Sequence, residues 1–224
     1  MIIEKKAIKY TCNYGIIELT TPFFGEKELN NDILNYKIIN IKIYSGMQDN
    51  HKVITGIEYK LRNIYTGETI VKTHKNDENI IDFKELKINQ GEYLSEFHIR
   101  FSNINDYITQ LGFSTNKNNG ILIGEEEGEK KVVHMNDGKN IILEIHGYIG
   151  NNLASIGCAY ISSQIYLGYN LFKFFLLRYL LKNNEIFKKK WDESYENLPI
   201  EYKFIWRTIN MPDNIFSIIM SNCL

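Results

Sequence analysis

GYIGNNLASIGCAY, residues 147–160, reads as two buried strands joined by a very short turn at Gly150-Asn151-Asn152. Outward from this hairpin, the chain from about residue 14 to 163 is strand-like almost without a break. The runs 36–46, 52–63, 67–74, 80–88, 91–103, 107–116, 130–135, 139–150 and 153–162 are rich in Ile, Val, Tyr and Thr. Many alternate apolar with polar residues, the period of two that marks a strand buried on one face. Between them stand turn signals. Asn136-Asp137-Gly138 predicts a hairpin because glycine accepts the positive φ of a tight turn, and Thr66-Gly67, Gln90-Gly91 and Asn119-Gly120 play similar parts. Strands at this regular spacing imply an antiparallel all-β domain that closes or stacks its sheets. The absence of βαβ alternation argues against nucleotide-binding α/β folds.

After residue 163 the period changes. Residues 164–191, QIYLGYNLFKFFLLRYLLKNNEIFKKKW, carry long unbranched and aromatic residues with no turn signal before Asn183-Asn184, and they predict a helix. On a helical wheel Asn170, Lys173, Arg178, Lys182 and Glu185 fall on one side, with Phe172, Phe175, Leu176 and Tyr179 opposite. A second helix is expected near Pro199 and a short last one from Pro212-Asp213. The expected organisation is a β domain over 1–163, with a lead-in over 1–14, followed by a helical extension over 164–224.

The 224 residues are 44% hydrophobic and 24% charged, a globular composition, and fifteen tyrosines supply ample material for a β-rich core. The formal charge of −1 provides no global field to recruit nucleic acid. The N-terminus lacks the apolar core of a secretory signal. Cys12, Cys158 and Cys223 are odd in number and far apart, which points to reduced thiols and a cytoplasmic protein.

Catalytic chemistry finds no candidate. The histidines His51, His74, His98, His134 and His146 do not pair at metal-ligand spacing, and no nucleophile elbow or phosphate loop occurs. Glu125, Glu126, Glu127 and Glu129 lack the spacing of a calcium loop and read as a solvated hairpin tip. No metal, cofactor or enzymatic activity is expected.

Gly91-Glu92-Tyr93-Leu94, then 108–116 (ITQLGFSTN), then Ile123-Gly124, Gly128, IHGYIG and ASIGCAY resemble the jacalin-like lectin domain. The resemblance covers roughly residues 15–163. It implies a β-prism of three four-stranded antiparallel sheets around a pseudo-threefold axis, and a sugar site for mannose or galactose. That site uses a G-x-x-x-D loop between the last two strands. Carried onto this chain, the loop is Gly150, Asn151, Asn152 and Leu153, with Ala154 where the family has aspartate. A carboxylate accepts two sugar hydroxyls through charge-assisted bonds, and a methyl group accepts none. Each such bond is worth roughly 1.5–3 kcal/mol, against about 4 kcal/mol for a sugar held at millimolar strength. The family's first-loop glycine pair is also reduced, with Gly25 alone in the stretch 20–32.

The sequence therefore favours a non-catalytic interaction module that meets protein partners in a larger assembly, with the C-terminal helices as its docking element. Weak sugar binding at a shifted site using Asn151 or Asn152 is one alternative. The other is peripheral contact with a membrane surface. Six cations, Lys173, Arg178, Lys182, Lys188, Lys189 and Lys190, stand against Glu185 alone in the segment bearing Phe172, Phe175, Leu176 and Tyr179.

Overall fold

The runs rich in β-branched and aromatic residues pair into three antiparallel sheets, and each sheet is built around one long hairpin. The computed structural model describes residues 7–15, 22–25, 31–102, 107–126, 128–134, 139–185, 188–189 and 212. In chain order the strands are β1 (Lys9–Tyr10), β2 (Tyr14–Gly15), β3 (Phe23–Phe24), β4 (Tyr36–Gln48), β5 (His51–Asn63), β6 (Thr69–Lys75), β7 (Asp82–Lys87), β8 (Leu94–Phe101), β9 (Ile108–Thr115), β10 (Gly120–Gly124), β11 (Glu129–His134), β12 (Asn140–Ile149) and β13 (Leu153–Ser162). Helix α1 (Ser163–Asn183) follows directly.

The sheets have the orders β6-β5-β4-β7, β10-β9-β8-β11 and β1-β13-β12-β3, with β2 also on β13. Their inner faces meet in one apolar core. Ile41, Ile43, Ile57, Phe97, Leu111, Phe113, Ile145 and Ile156 are among its fully buried members. This is the expected β-prism with a C-terminal helix.

Each central hairpin carries two register shifts. The extra residues are Ile39 and Thr55 in β4/β5, Ser95 and Thr109 in β8/β9, and Leu143 and Ala154 in β12/β13. A bulge bends its strand and increases the local twist. The same device, one bulge per strand in all three pairs, curls each sheet around the common axis.

Turn chemistry fixes the connections. The β4–β5 turn is Asp49-Asn50, with φ of 50° and 67°, the doubly left-handed form that matches strand twist. The signals at Thr66-Gly67 and Gln90-Gly91 are turns with glycine at φ 76° in both. At the Asn119-Gly120 signal the left-handed residue is Asn118, at φ 60°, and Gly120 instead opens the unanticipated strand β10. A Cβ at Gly120 would lie 2.8 Å from the Phe113 carbonyl oxygen. The Asn136-Asp137-Gly138 signal and the two expected helices beyond residue 191 lie outside the described residues.

Helix α1 caps the prism at the end where β4 begins and β5 ends. Tyr166 and Tyr169 are buried there. The Tyr166 hydroxyl donates to the Tyr36 carbonyl at 3.1 Å, and Tyr65 donates to Asn170 Oδ1 at 2.7 Å. Burial drives both phenols, Tyr65 and Tyr166, well above their ordinary pKa, so they stay neutral donors. Lys173 Nζ donates to Asn35 Oδ1 at 2.6 Å and sits 4.7 Å from the Tyr169 ring centre.

The helix packs on the prism partly by its polar side. Asn170 and Lys173 face the prism and Arg178 is buried, only 5% exposed, while Phe175, Leu176 and Tyr179 are 42%, 45% and 64% exposed. The reason is local. The prism end offers Lys173 the Asn35 oxygen and the Tyr65 ring, which satisfy an ammonium better than an aliphatic face would.

Candidate functional site

The turn between β12 and β13 lies at the opposite end of the prism from α1. Gly150 and Asn151 are exposed, and Asn152 and Leu153 are buried. Gly150 N donates to the Asn152 carbonyl at 3.0 Å, closing the turn. Gly150 is not among the glycines held at positive φ, so the turn's shape comes from closure and packing rather than a left-handed glycine.

Asn152 faces inward. Its Nδ2 donates to Gln48 Oε1 at the end of β4, and its Oδ1 is buried without a hydrogen-bond partner. The contact fastens the 150–152 turn to the Asp49-Asn50 turn. Asp49 and Asn50, like Gly150 and Asn151, are exposed. Among the described residues the prism end is a small polar surface made by two turns, with the amide of Asn151 and the carboxylate of Asp49 exposed.

Ala154 is the bulged residue of β13: Ile149 faces Leu153 and Tyr148 faces Ser155, leaving Ala154 between. Gly15 of β2 backs onto it at φ 113°, where a Cβ would lie 2.2 Å from the Ala154 carbonyl oxygen. The first loop approaches by its other end. Ile149 N donates to the Pro22 carbonyl at 3.0 Å, whereas Gly25, at φ 89°, packs against His146 farther down β12. A Cβ there would meet the His146 Cβ at 2.6 Å. Gly25 is therefore a close-approach glycine between two strands, not a lining residue of the turn.

The model of the jacalin-like lectin domain matches residues 21–159. The chain belongs to the jacalin-like lectin domain family. Jacalin-related lectin 44 of Arabidopsis thaliana is 27% identical over 143 residues, 62% of this chain and 22% of that relative, so the match spans about a fifth of its length. Among solved structures, the Calystegia sepium agglutinin superposes with a TM-score of 0.56 at 17% identity, covering 69% of this chain and 97% of that one. The mannose-binding jacalin-related lectin of Ananas comosus gives 0.55 at 14% identity, covering 70% and 99%. Malaysian banana lectin gives 0.54 at 18%, covering 69% and 99%. Likeness at this identity carries the fold.

The remaining sequence-singled residues belong to the other end of the jacalin-like domain or beyond it. Lys173 is turned to the prism and Arg178 is buried; Phe175, Leu176, Tyr179, Lys188 and Lys189 are exposed. Lys190 and the side chain of Phe172 lie outside what is described. Among the described residues no helix is long and apolar enough to cross a membrane. Cys12 and Cys158 are free thiols, and burial pushes the Cys158 thiol up. Asp49 and Gln48 were missed by sequence reasoning. The signal was present in Asp49-Asn50, a two-residue turn between apolar runs.

Proposed function

We propose that the protein is a non-catalytic carbohydrate-binding module that takes neutral sugars at the two-turn end of its prism. The observation that carries this reading is the Asn152–Gln48 contact, which holds the Asp49-Asn50 turn beside the 150–152 turn. Membership of a lectin family supports the ligand class. The alanine at 154 removes the usual acceptor, and Asp49 supplies an exposed carboxylate on the neighbouring turn. A carboxylate accepts paired hydroxyls, while Asn151 both donates and accepts. Binding through so few groups is weak, on the order of millimolar for one sugar. Titration of the full chain with methyl α-mannoside and methyl α-galactoside, followed by amide chemical shifts, tests it. Shifts clustered at 48–51 and 150–153, and lost in Asp49→Asn, are expected. Shifts unchanged by that substitution, or none at all, would sink the reading.

A second reading, a protein-docking module, is favoured by α1. Its Phe175, Leu176 and Tyr179, 42%, 45% and 64% exposed, form an apolar flank on a helix anchored through Tyr166 and Lys173. Affinity capture with the triple serine variant at 175, 176 and 179 tests it: partners retained unchanged would exclude α1 as the docking element. Exposed Lys188 and Lys189 keep contact with anionic membranes as an alternative for the same flank, and liposome flotation separates the two.

A further inference from the structure

The outward face of the β6-β5-β4-β7 sheet is a groove of about 490 Å³. Strand alternation sends Asn40 and Lys42 out of β4 and Glu58, Lys60 and Arg62 out of β5. Register places Val71, Lys60, Asn40 and Lys87 in one row across the sheet, with Glu58, Lys42 and Glu85 in the next. The two carboxylates are held. Lys42 Nζ lies 3.3 Å from Glu58 Oε1, and Asn40 Nδ2 donates to Glu85 Oε1 at 2.7 Å.

Three cations are not held. Among the described residues no hydrogen bond or ion pair engages the side chains of Lys60, Arg62 or Lys87. Strand spacing sets the Cα atoms of Lys60 and Lys87 about 10 Å apart across β4, and Arg62 about 7 Å from Lys60 along β5. Like charges gathered on a concave wall repel one another and focus a positive field on whatever enters.

We propose that this groove binds an acidic oligosaccharide, a sulfated or uronic-acid-bearing chain. Lys60, Arg62 and Lys87 meet its anionic groups, and Glu58, Glu85 and Asn40 meet its hydroxyls. The composition of the groove selects this ligand over nucleic acid. Its apolar lining, Ile39, Val71 and Ile88, is aliphatic and gives bases nothing to stack on. Glu58 and Glu85 oppose an unbroken run of phosphates, yet they are good acceptors for hydroxyl donors. The groove is separate from the two-turn end, and neither site depends on the other.

The test is calorimetric titration of the full chain, at fixed ionic strength, with a heparin-derived hexasaccharide. Neutral chitohexaose and inorganic polyphosphate of matched charge serve as comparisons. The hexasaccharide is expected to bind in the groove, chitohexaose to show no binding that the groove variants change, and polyphosphate to bind more weakly than the hexasaccharide. The triple variant Lys60→Gln, Arg62→Gln, Lys87→Gln should weaken hexasaccharide binding at least about tenfold, the loss of one charge-assisted contact or more. Lys87→Gln alone, at an exposed position, should weaken it several-fold and guards against misfolding of the triple variant. The double variant Lys130→Gln, Lys131→Gln on the neighbouring sheet should leave it unchanged, as should Asp49→Asn. Polyphosphate binding as tightly as the hexasaccharide, equal loss in the Lys130/Lys131 variant, or no hexasaccharide binding would overturn the proposal.

Discussion

Position 154 joins two constraints in one residue. It is the bulged position of β13, and its carbonyl is overlain by Gly15 of β2. An acid there changes the side chain without disturbing either, because the crowding is at the backbone. Ala154→Asp is therefore expected to fold normally and to raise the affinity for methyl α-mannoside about tenfold or more, the worth of one charge-assisted pair; titration calorimetry reads the change, and unchanged affinity would mean that the bulge aims the side chain away from the sugar. Gly15→Ala belongs to the opposite case. Its φ of 113° and the 2.2 Å approach to the Ala154 oxygen leave no room for a Cβ. A loss of more than about 1 kcal/mol is expected, measured by urea denaturation, and Gly15→Ala as stable as the parent would mean that β2 is not held at this edge. Position 154 was legible in the sequence as a missing acid. That it is a bulge was not, because period-two counting cannot tell an extra residue from a strand end.

At the scale of elements, the bulge at Leu143 shows how a polar residue enters the core. It interrupts alternation in β12, so Ile142 through Ile145 are all buried, Glu144 among them. The Glu144 carboxylate accepts from Tyr59 at 2.6 Å and pairs with Lys72 at 2.8 Å, linking β12 to β5 and β6. Removing one partner strands the other charge in a low-dielectric site. Glu144→Ala is expected to cost about 3–5 kcal/mol, and a paired Glu144→Met, Lys72→Met change much less; thermal unfolding of the two variants distinguishes a structural ion pair from an incidental one. The strands around this pair were readable because Ile, Val and Tyr alternate over long runs. β10 was not, because five residues with two glycines carry too little pattern. The helix was readable from its start, but α1 stops at Asn183, where the Asn183-Asn184 signal falls inside the expected 164–191. Its wheel separates polar from aromatic side chains, and the prism end offers the Asn35 oxygen and the Tyr65 ring to Lys173, so part of the polar side packs.

The whole molecule repeats one design three times, a bulged hairpin with an edge strand on each side, and assigns its ends differently. One end is capped by α1; the other presents the Asp49-Asn50 and 150–152 turns. The third sheet is completed at its edges by short chain segments, β1 and β2 on β13 and β3 on β12. His146 lies beneath these straps. Its ring is 6.1 Å from that of Tyr10 and 6.2 Å from that of Phe23, and Gly157 leaves room for it. Burial lowers its pKa from the ordinary value, against an opposing hydrogen bond with the Thr11 backbone. His74, stacked on Phe24 at 4.4 Å, is lowered by burial and then by Lys72. Both rings are thus less easily protonated in the folded chain than in the unfolded one, whose histidines titrate near 6.5. Between the two values the unfolded state binds more protons, so stability falls as the pH drops below about 6.5 and is fully present above it. Glu92, lowered chiefly by its hydrogen bond from Asn119, acts in a lower window, below its ordinary value of 4.5. Urea midpoints compared between pH 7.5 and pH 5 should therefore decline in the parent chain and decline less in His146→Gln, with hydrogen exchange rising first over residues 9–15 and 22–25. Midpoints that are flat over this range, or a decline unaltered by the substitution, would remove the histidine from this role and leave the edge straps insensitive to acid.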